Sequence, residues 1–257
     1  MRRLTTAESV KHRGDYGVDG SFHRVPLGAQ LAVLAVSCTA LAVYAGIALA
    51  RGQHVAGAVA AVIDAFILAQ VALYWHNTRS GKFRAWERIL DDLALRGDET
   101  LLDMGCGRGA VLCAAAKRLP HGRAIGVDLW QADQTGNSAD ATWANAALEG
   151  VSDRIEVHTG DMTALPLADA SVDVVVSSLA IHNIGSGDGR RRALAEAARV
   201  VRPGGRLAIA DLWDIRHHAA QLREIGWRDV KWRNLGWRMW YGGPWTSTRL
   251  VTATKPG

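Results

Sequence analysis

Thr100-Leu-Leu-Asp-Met-Gly-Cys-Gly-Arg-Gly109 is the stretch on which the fold turns. Its first five residues read as a short apolar strand. Glycines at 105, 107 and 109 follow at once, and the alanine-rich run Ala110 to Leu119 reads as a helix. Glycine in such a turn adopts backbone conformations that other residues avoid, and it leaves no Cβ between a ligand and the main chain. The pattern alone is weak, because 27 of the 257 residues are glycine, above the usual share of about 7%. The flanking sequence strengthens it.

Downstream, Ala124 to Val127 is a second strand closed by Asp128, roughly 20 residues beyond the glycines, where an acid can accept both hydroxyls of a ribose. Ile155 to His158 is a third strand, followed by Thr159-Gly-Asp-Met162. Val172 to Ser177 is a fourth, with Asp173 at its start. A helix over Asn137 to Leu148 stops at Gly150, and another over Arg190 to Val201 ends at Pro203-Gly-Gly205. Leu207 to Ala210 is the fifth strand and Ala219 to Ile225 a helix. Asp229 to Trp240 and Thr246 to Thr254 read as two strands joined across Gly242-Gly-Pro244. Upstream, Trp86, Ile89, Leu90 and Leu93 recur at helical spacing among charged residues. The expected fold class is α/β: a doubly wound, mostly parallel seven-stranded sheet with a C-terminal β-hairpin.

Five of these segments, taken in order, carry a resemblance. Leu101-Leu-Asp-Met-Gly-Cys-Gly-Arg-Gly109, Gly126-Val-Asp128, Gly160-Asp-Met162, Asp173-Val-Val-Val-Ser-Ser178 and Arg199-Val-Val-Arg-Pro-Gly-Gly-Arg206 resemble the class I S-adenosylmethionine-dependent methyltransferases. The likeness is nearest to the small-molecule branch with the ubiquinone/menaquinone and sterol methyltransferases, and it covers roughly residues 83–255. It implies S-adenosylmethionine as cofactor. The loop Gly105, Cys106, Gly107, Gly109 would lie along the methionine part, with Asp103 near its amino group. Asp128 would take the ribose hydroxyls, and Leu129 or Trp130 would flank the adenine. Asp161 would accept from the adenine amino group with Met162 on the ring, and Ser177 would stand on the cofactor side. Asp173 and the Arg-Pro-Gly-Gly turn would be structural.

The sulfonium methyl is already activated, so a base is needed only if the acceptor must lose a proton. His182, just past the fourth strand, is the best-placed candidate; a pocket-lining role fits its position equally well. Asn183 would orient the acceptor or the histidine. No metal site is expected: Cys106 and Cys113 lack paired-ligand spacing, and Cys38 lies in an apolar run. The sequence lacks the Asp/Asn-Pro-Pro-Tyr/Phe signature of methylators of nucleobase amines.

The chain before this domain has a different character. Leu27 to Ala50 is 24 residues without a formal charge, and Val55 to Trp75 carries only Asp64. As helices each reaches past 30 Å at about 1.5 Å per residue, enough for a hydrocarbon core. The short link Arg51-Gly-Gln-His54 implies an antiparallel hairpin. The expected organisation is a basic tail (1–26), a transmembrane helical hairpin (27–76) and a methyltransferase domain (77–257). Arg2, Arg3, Lys11, Arg13 and Arg24 precede the first run, and Arg79, Lys82, Arg84 and Arg88 follow the second. The positive-inside rule then places both flanks in the cytoplasm, at the cell membrane. A hairpin lying on the membrane or covering the domain is the alternative. Reflection through the turn puts Asp64 near Leu41, with Thr39 or Tyr44 as hydroxyl partners. Gly57 and Ala61 form a small-xxx-small pair suited to close helix approach.

Composition is consistent with this division. With 49% hydrophobic and 21% charged residues, the chain is neither disordered nor a disulfide scaffold. The net charge of +5 is accounted for by anionic lipid headgroups at the flanks, without nucleic acid as a partner. Six of ten tryptophans fall between Trp213 and Trp245, interleaved with arginines. About half are expected in the core, and the rest at a membrane interface. The expected function is methyl transfer to a small lipophilic acceptor at the cytoplasmic membrane surface. The alternatives are a soluble small thiol or amine as acceptor, and a cofactor-binding membrane adaptor without chemistry. Which atom receives the methyl group is left open.

Overall fold

The computed structural model describes residues 12–20, 25–131 and 133–257. Arg2, Arg3, Lys11 and Arg24 of the basic flank lie outside the described residues. Two long apolar helices come first, α1 (Leu27–Ala50) and α2 (His54–His76), packed antiparallel. Their outer faces are open: Val36 is 70% exposed and Val55 80%. Both are long and apolar enough to cross a membrane, by length and composition. The seam between them differs in detail from the expected one. Gly57 and Ala60, not Ala61, are the buried small residues of α2, and a side chain at Gly57 would run into Leu49. Asp64 meets the Cys38 thiol rather than a hydroxyl. Thr39 donates instead to the Ala35 carbonyl at 2.8 Å, and Tyr44 is exposed.

Helix α2 does not end at a linker. It continues through a π turn, Asn77–Gly81, into the amphipathic α3 (Lys82–Asp92), one helical run of 39 residues from His54 to Asp92. The hairpin is thereby continuous in chain and helix with the domain that follows.

That domain alternates strand and helix as its sequence requires. The strands are β1 (Thr100–Met104), β2 (Arg123–Asp128), β3 (Ile155–Thr159), β4 (Val172–Ser178), β5 (Val201–Asp211), β6 (Arg228–Asn234) and β7 (Arg249–Thr254). They form one sheet in the order β3-β2-β1-β4-β5-β7-β6, parallel except for β7, which is antiparallel to both β5 and β6. Valines 172, 174, 175 and 176 of β4 are fully buried, the near-continuous apolar run of a strand covered on both faces. Helices α4 (Ala110–Ala116), α5 (Ala139–Glu149), α6 (Gly187–Val200) and α7 (Ile215–Glu224) cover the two faces. Ser138 caps α5 by accepting from the Ala141 amide at 3.1 Å, worth about 1 kcal/mol. Gly150 ends that helix in the left-handed conformation.

Two expectations are corrected. Pro203-Gly-Gly205 is not a free turn before the fifth strand but lies inside β5, at an irregularity in the register with β4. There the backbone of Gly205 passes close to the Asp173 carbonyl. The tail strand stops at Asn234, well short of Trp240. The Asn234 side chain accepts from the Gly236 amide at 2.7 Å, Gly236 has a φ of 77°, and the chain leaves the sheet. It crosses to the α2–α3 junction, where the Asn77 amide donates to the carbonyls of Trp237, at 3.1 Å, and Trp240.

In doubly wound sheets, ligands bind beyond the carboxyl ends of the strands where the strand order reverses. Here that point lies between β1 and β4.

Candidate active site

At that point lies a cavity of about 540 Å³. Its cofactor side grows out of the turn after β1. Gly105 has a φ of 77°, and a Cβ there would overlap the Cβ of Ala180. Gly107, with φ 51°, has the Gln134 side chain where its own Cβ would stand. Side chains at these positions would fill the cradle. Asp128, at the end of β2, accepts from the Gly107 amide at 2.8 Å through one carboxylate oxygen and from the Trp130 amide at 2.6 Å through the other. The Asn137 side-chain amide makes a longer contact of 3.4 Å to that second oxygen. The two backbone amides fix the carboxylate's orientation, and of about four lone-pair positions at least one remains for a ribose hydroxyl.

Asp103 is buried, and its Oδ1 has no hydrogen-bond partner among the described residues. Burial, reinforced by the negative charge of Asp128, pushes its carboxyl up to about 8. An unpartnered acid at the wall of a cavity suits a cationic group. Together with the glycine cradle and the oriented Asp128, it fits the amino-acid and ribose ends of S-adenosylmethionine. Cys106 lines the same loop, but burial and then the neighbouring Asp103 charge hold its thiol well above the usual range. It serves as a small apolar residue, not as a nucleophile.

Across the cavity stands His182, in the short helical turn after β4. Its Nδ1 lies 2.5 Å from Oδ1 of Asp211, the buried last residue of β5, whose other oxygen accepts from the His182 amide at 3.1 Å. The Leu212 amide also donates to Asp211, at 2.7 Å. A carboxylate so placed holds the proton on Nδ1 and leaves Nε2 as the basic nitrogen, the arrangement of an oriented general base. Trp213 packs edge-on against the imidazole, with ring centroids 5.3 Å apart. Asn183 donates to Asp133 at 2.9 Å. Asp133, in the loop after β2, is raised above the ordinary carboxylate range by burial and by Asp128.

The cavity thus brings together Asp103, Gly105, Cys106, Gly107 and Asp128 on one side and His182 and Asn183 on the other. Six other expected residues stand outside its wall. Gly109 is the left-handed cap residue just before α4, and Leu129 is nearly half exposed. Trp130 donates its indole N–H to the Thr159 hydroxyl at 2.7 Å. Asp161 is exposed and accepts from the Thr163 amide at 2.7 Å. Met162 backs the glycine loop near Gly105. Ser177 is a correction: side chains alternate along a strand, so Ser178 faces the cavity while Ser177 turns away and donates to the Met104 carbonyl at 2.7 Å. Asp173 accepts from the Thr100 amide and pairs with Arg202, both at 2.8 Å, holding strand starts together.

Sequence reasoning missed most of the opposite wall. Tyr74 of α2, Lys82 and Trp86 of α3, Tyr241, and Asp19 ahead of the hairpin all line it. Trp86 donates to the Ser178 hydroxyl at 2.7 Å. The acid at the end of β5 was the one available signal for Asp211; the others come from segments far apart in the chain.

The fold and this strand-end site define a doubly wound α/β domain with a cavity where the strand order reverses. Residues 102–209 match the family model of the methyltransferase domain. It is 37% identical over 132 residues to the ubiquinone/menaquinone biosynthesis C-methyltransferase UbiE of Dinoroseobacter shibae, covering 51% of this chain and 50% of that one. It is 32% identical over 165 residues to the 27-O-demethylrifamycin SV methyltransferase of Amycolatopsis mediterranei, covering 60% and 57%. The chain therefore spans about half the length of these curated relatives. Among solved structures, its fold is similar to a SAM-dependent methyltransferase from Aquifex aeolicus, with TM-score 0.51 and 22% identity over 66% of this chain and 88% of that one. It is also similar to the geranyl diphosphate C-methyltransferase of Streptomyces coelicolor A3(2), with TM-score 0.53 and 17% identity over 67% and 77%. Asp211, Tyr241, Lys82 and the hairpin all lie outside the matched window.

Proposed function

We propose that this protein transfers a methyl group from S-adenosylmethionine to a proton-bearing group, foremost a hydroxyl, of a small lipophilic acceptor at the cytoplasmic surface of the cell membrane. The observation that carries this reading is the His182–Asp211 pair at 2.5 Å, which opens into the cavity that also holds the glycine loop and Asp128. When bound, S-adenosylmethionine supplies an activated methyl group on its sulfonium. Asp128 and the Gly105–Gly109 loop would hold the ribose and amino-acid ends, with Asp103 at the ammonium. His182 Nε2 would take the acceptor's proton as its oxygen becomes nucleophilic, and Asp211 would stabilise the resulting imidazolium. Trp86, Trp213, Leu179 and Leu212 line the cavity and favour an apolar acceptor body. The relatives' names each support one half of the reading: the C-methyltransferase UbiE is named for quinone biosynthesis, which supports a lipophilic acceptor, and the other for a 27-O-demethyl compound, which supports transfer to oxygen.

Support for the membrane comes from the way the acceptor wall is built. Tyr74, near the end of the apolar α2, is part of it. Around that end Trp237 stacks on His76 at 5.2 Å, and Arg79 lies over Trp75 at 4.5 Å. Trp245 packs on Phe66, about 15 Å further along α2. Trp75 and Trp237 are 44% and 46% exposed, and with Arg79 they form an aromatic and basic cluster of the kind found at bilayer interfaces. Trp245, 63% exposed, lies at a different level and is not part of it. Of the six C-terminal tryptophans, Trp227 alone is buried, fewer than composition suggested.

The test is methyl transfer by the full-length protein in liposomes doped with a membrane lipid extract, using labelled S-adenosylmethionine. Label in the organic phase, lost in His182→Ala, is expected. Label confined to water-soluble products would favour the soluble acceptor. Binding of the cofactor with no transfer to any fraction would favour the adaptor.

A further inference from the structure

The segment ahead of the hairpin crosses the cavity as an extended strap. The Thr135 amide donates to the Val18 carbonyl at 3.0 Å, and the Gly20 amide to the Asp133 carbonyl at 2.9 Å. Arg108, inside the glycine loop, holds the strap's other end through its guanidinium, to the Asp15 carbonyl at 2.9 Å and carboxylate at 3.0 Å. Tyr16 and Val18 are buried beneath it.

One carboxylate in this strap joins the two halves of the site. Asp19 accepts from Lys82 of α3 at 2.8 and 3.0 Å, from the Tyr241 hydroxyl at 3.1 Å and from the Gln134 amide at 3.1 Å. Its backbone carbonyl accepts from Tyr74 of α2. Gln134 in turn accepts from the Arg108 backbone amide at 2.9 Å, so an unbroken chain runs from Lys82 and Tyr241 through Asp19 and Gln134 to the glycine loop. The Lys82 side chain is 6% exposed, and a cation so deeply buried depends on its partner. The pair neutralises itself within the wall and leaves no net charge to recognise an acceptor.

We propose that Asp19 is a positioning residue for methyl transfer: it latches the strap across the cavity and couples the acceptor wall to the glycine loop, so that the bound cofactor is released only when the latch opens. This rests on the cofactor reading above. It goes beyond it by assigning cofactor residence time to a carboxylate outside the methyltransferase-domain match. Removing one partner of a buried charge pair leaves the other uncompensated, so the strap opens more often and the cofactor beneath it leaves faster.

The experiment uses the full-length protein and S-adenosylhomocysteine as probe, with release followed by stopped-flow tryptophan fluorescence. Asp19→Asn should speed release by on the order of tenfold or more, and Tyr241→Phe, which removes one donor and leaves the ion pair, by a few-fold. Hydrogen exchange should show that bound S-adenosylhomocysteine protects the amides of Val18 and Thr135 in the parent protein and not in Asp19→Asn. Unchanged release and unchanged protection in Tyr241→Phe, or variants that only melt earlier while releasing the probe at the parent rate, would overturn the latch. Should Asp19→Asn fail to fold, Tyr241→Phe alone decides. Failure of the parent protein to bind the probe would instead overturn the cofactor reading.

Discussion

The two sides of the cavity are built in different ways. The cofactor side comes from one contiguous stretch, Asp103 to Asp128, where backbone turns do most of the work and a strand end supplies the acid. The acceptor side is assembled from side chains of five separated segments: Asp19, Tyr74 with Lys82 and Trp86, His182, Asp211 with Trp213, and Tyr241. A backbone device constrains residue type position by position and leaves a readable pattern. A side-chain mosaic constrains only what meets in space. The same fold can therefore keep its cofactor while its acceptor changes.

The sharpest way to break this contrast is Gly105→Ala. The added methyl group meets Ala180 in a left-handed backbone conformation, so S-adenosylhomocysteine binding should fall below calorimetric detection while circular dichroism stays native. Next in size is the opposite side. His182→Gln and Asp211→Asn should each lower the methyl-transfer rate by roughly 10²- to 10⁴-fold, with affinity for S-adenosylhomocysteine unchanged. If either variant loses cofactor affinity instead, the two sides are not separable.

A smaller effect sharpens the role of Asp103. Its carboxyl titrates at about 8 in the folded protein against an ordinary 3.8. Between those values the folded state keeps a proton that the unfolded chain has released, so its contribution to stability is full below about pH 4 and is lost as pH rises through about 8. The cofactor's ammonium selects the ionised form. Affinity for S-adenosylhomocysteine should therefore climb by about tenfold per pH unit up to that point, and Asp103→Asn should flatten both the affinity and the stability profiles. Smallest is the aromatic cluster: Trp237→Ala in the full-length protein should weaken partition into anionic liposomes only a few-fold, because the hairpin remains.

Legibility in the sequence follows the same division. The strands, the order of the motifs and the glycine loop were readable because periodicity and glycine placement are local. The placement of Asp128 against Gly107 was readable because strand ends in a doubly wound sheet converge. Pro203-Gly-Gly205 was misplaced, because a proline–glycine turn and a strand irregularity share one local composition and only the pairing with β4 and β7 separates them. The facing of Ser177 and Ser178 is not legible in the sequence, because a one-residue shift on a strand reverses a side chain. The Asp19 latch was illegible for a different reason: its donors lie at positions 74, 82, 134 and 241, and no spacing rule joins them. Nor did the hairpin's length and apolarity show that its second helix runs on into the catalytic wall.

The most direct measurement is a calorimetric titration of the full-length protein, Asp128→Ala and His182→Ala with S-adenosylhomocysteine. One-to-one binding by the parent, its loss in Asp128→Ala and its retention in His182→Ala are expected. No heat with the parent, or undiminished binding by Asp128→Ala, would contradict the shared cavity on which the proposed chemistry depends.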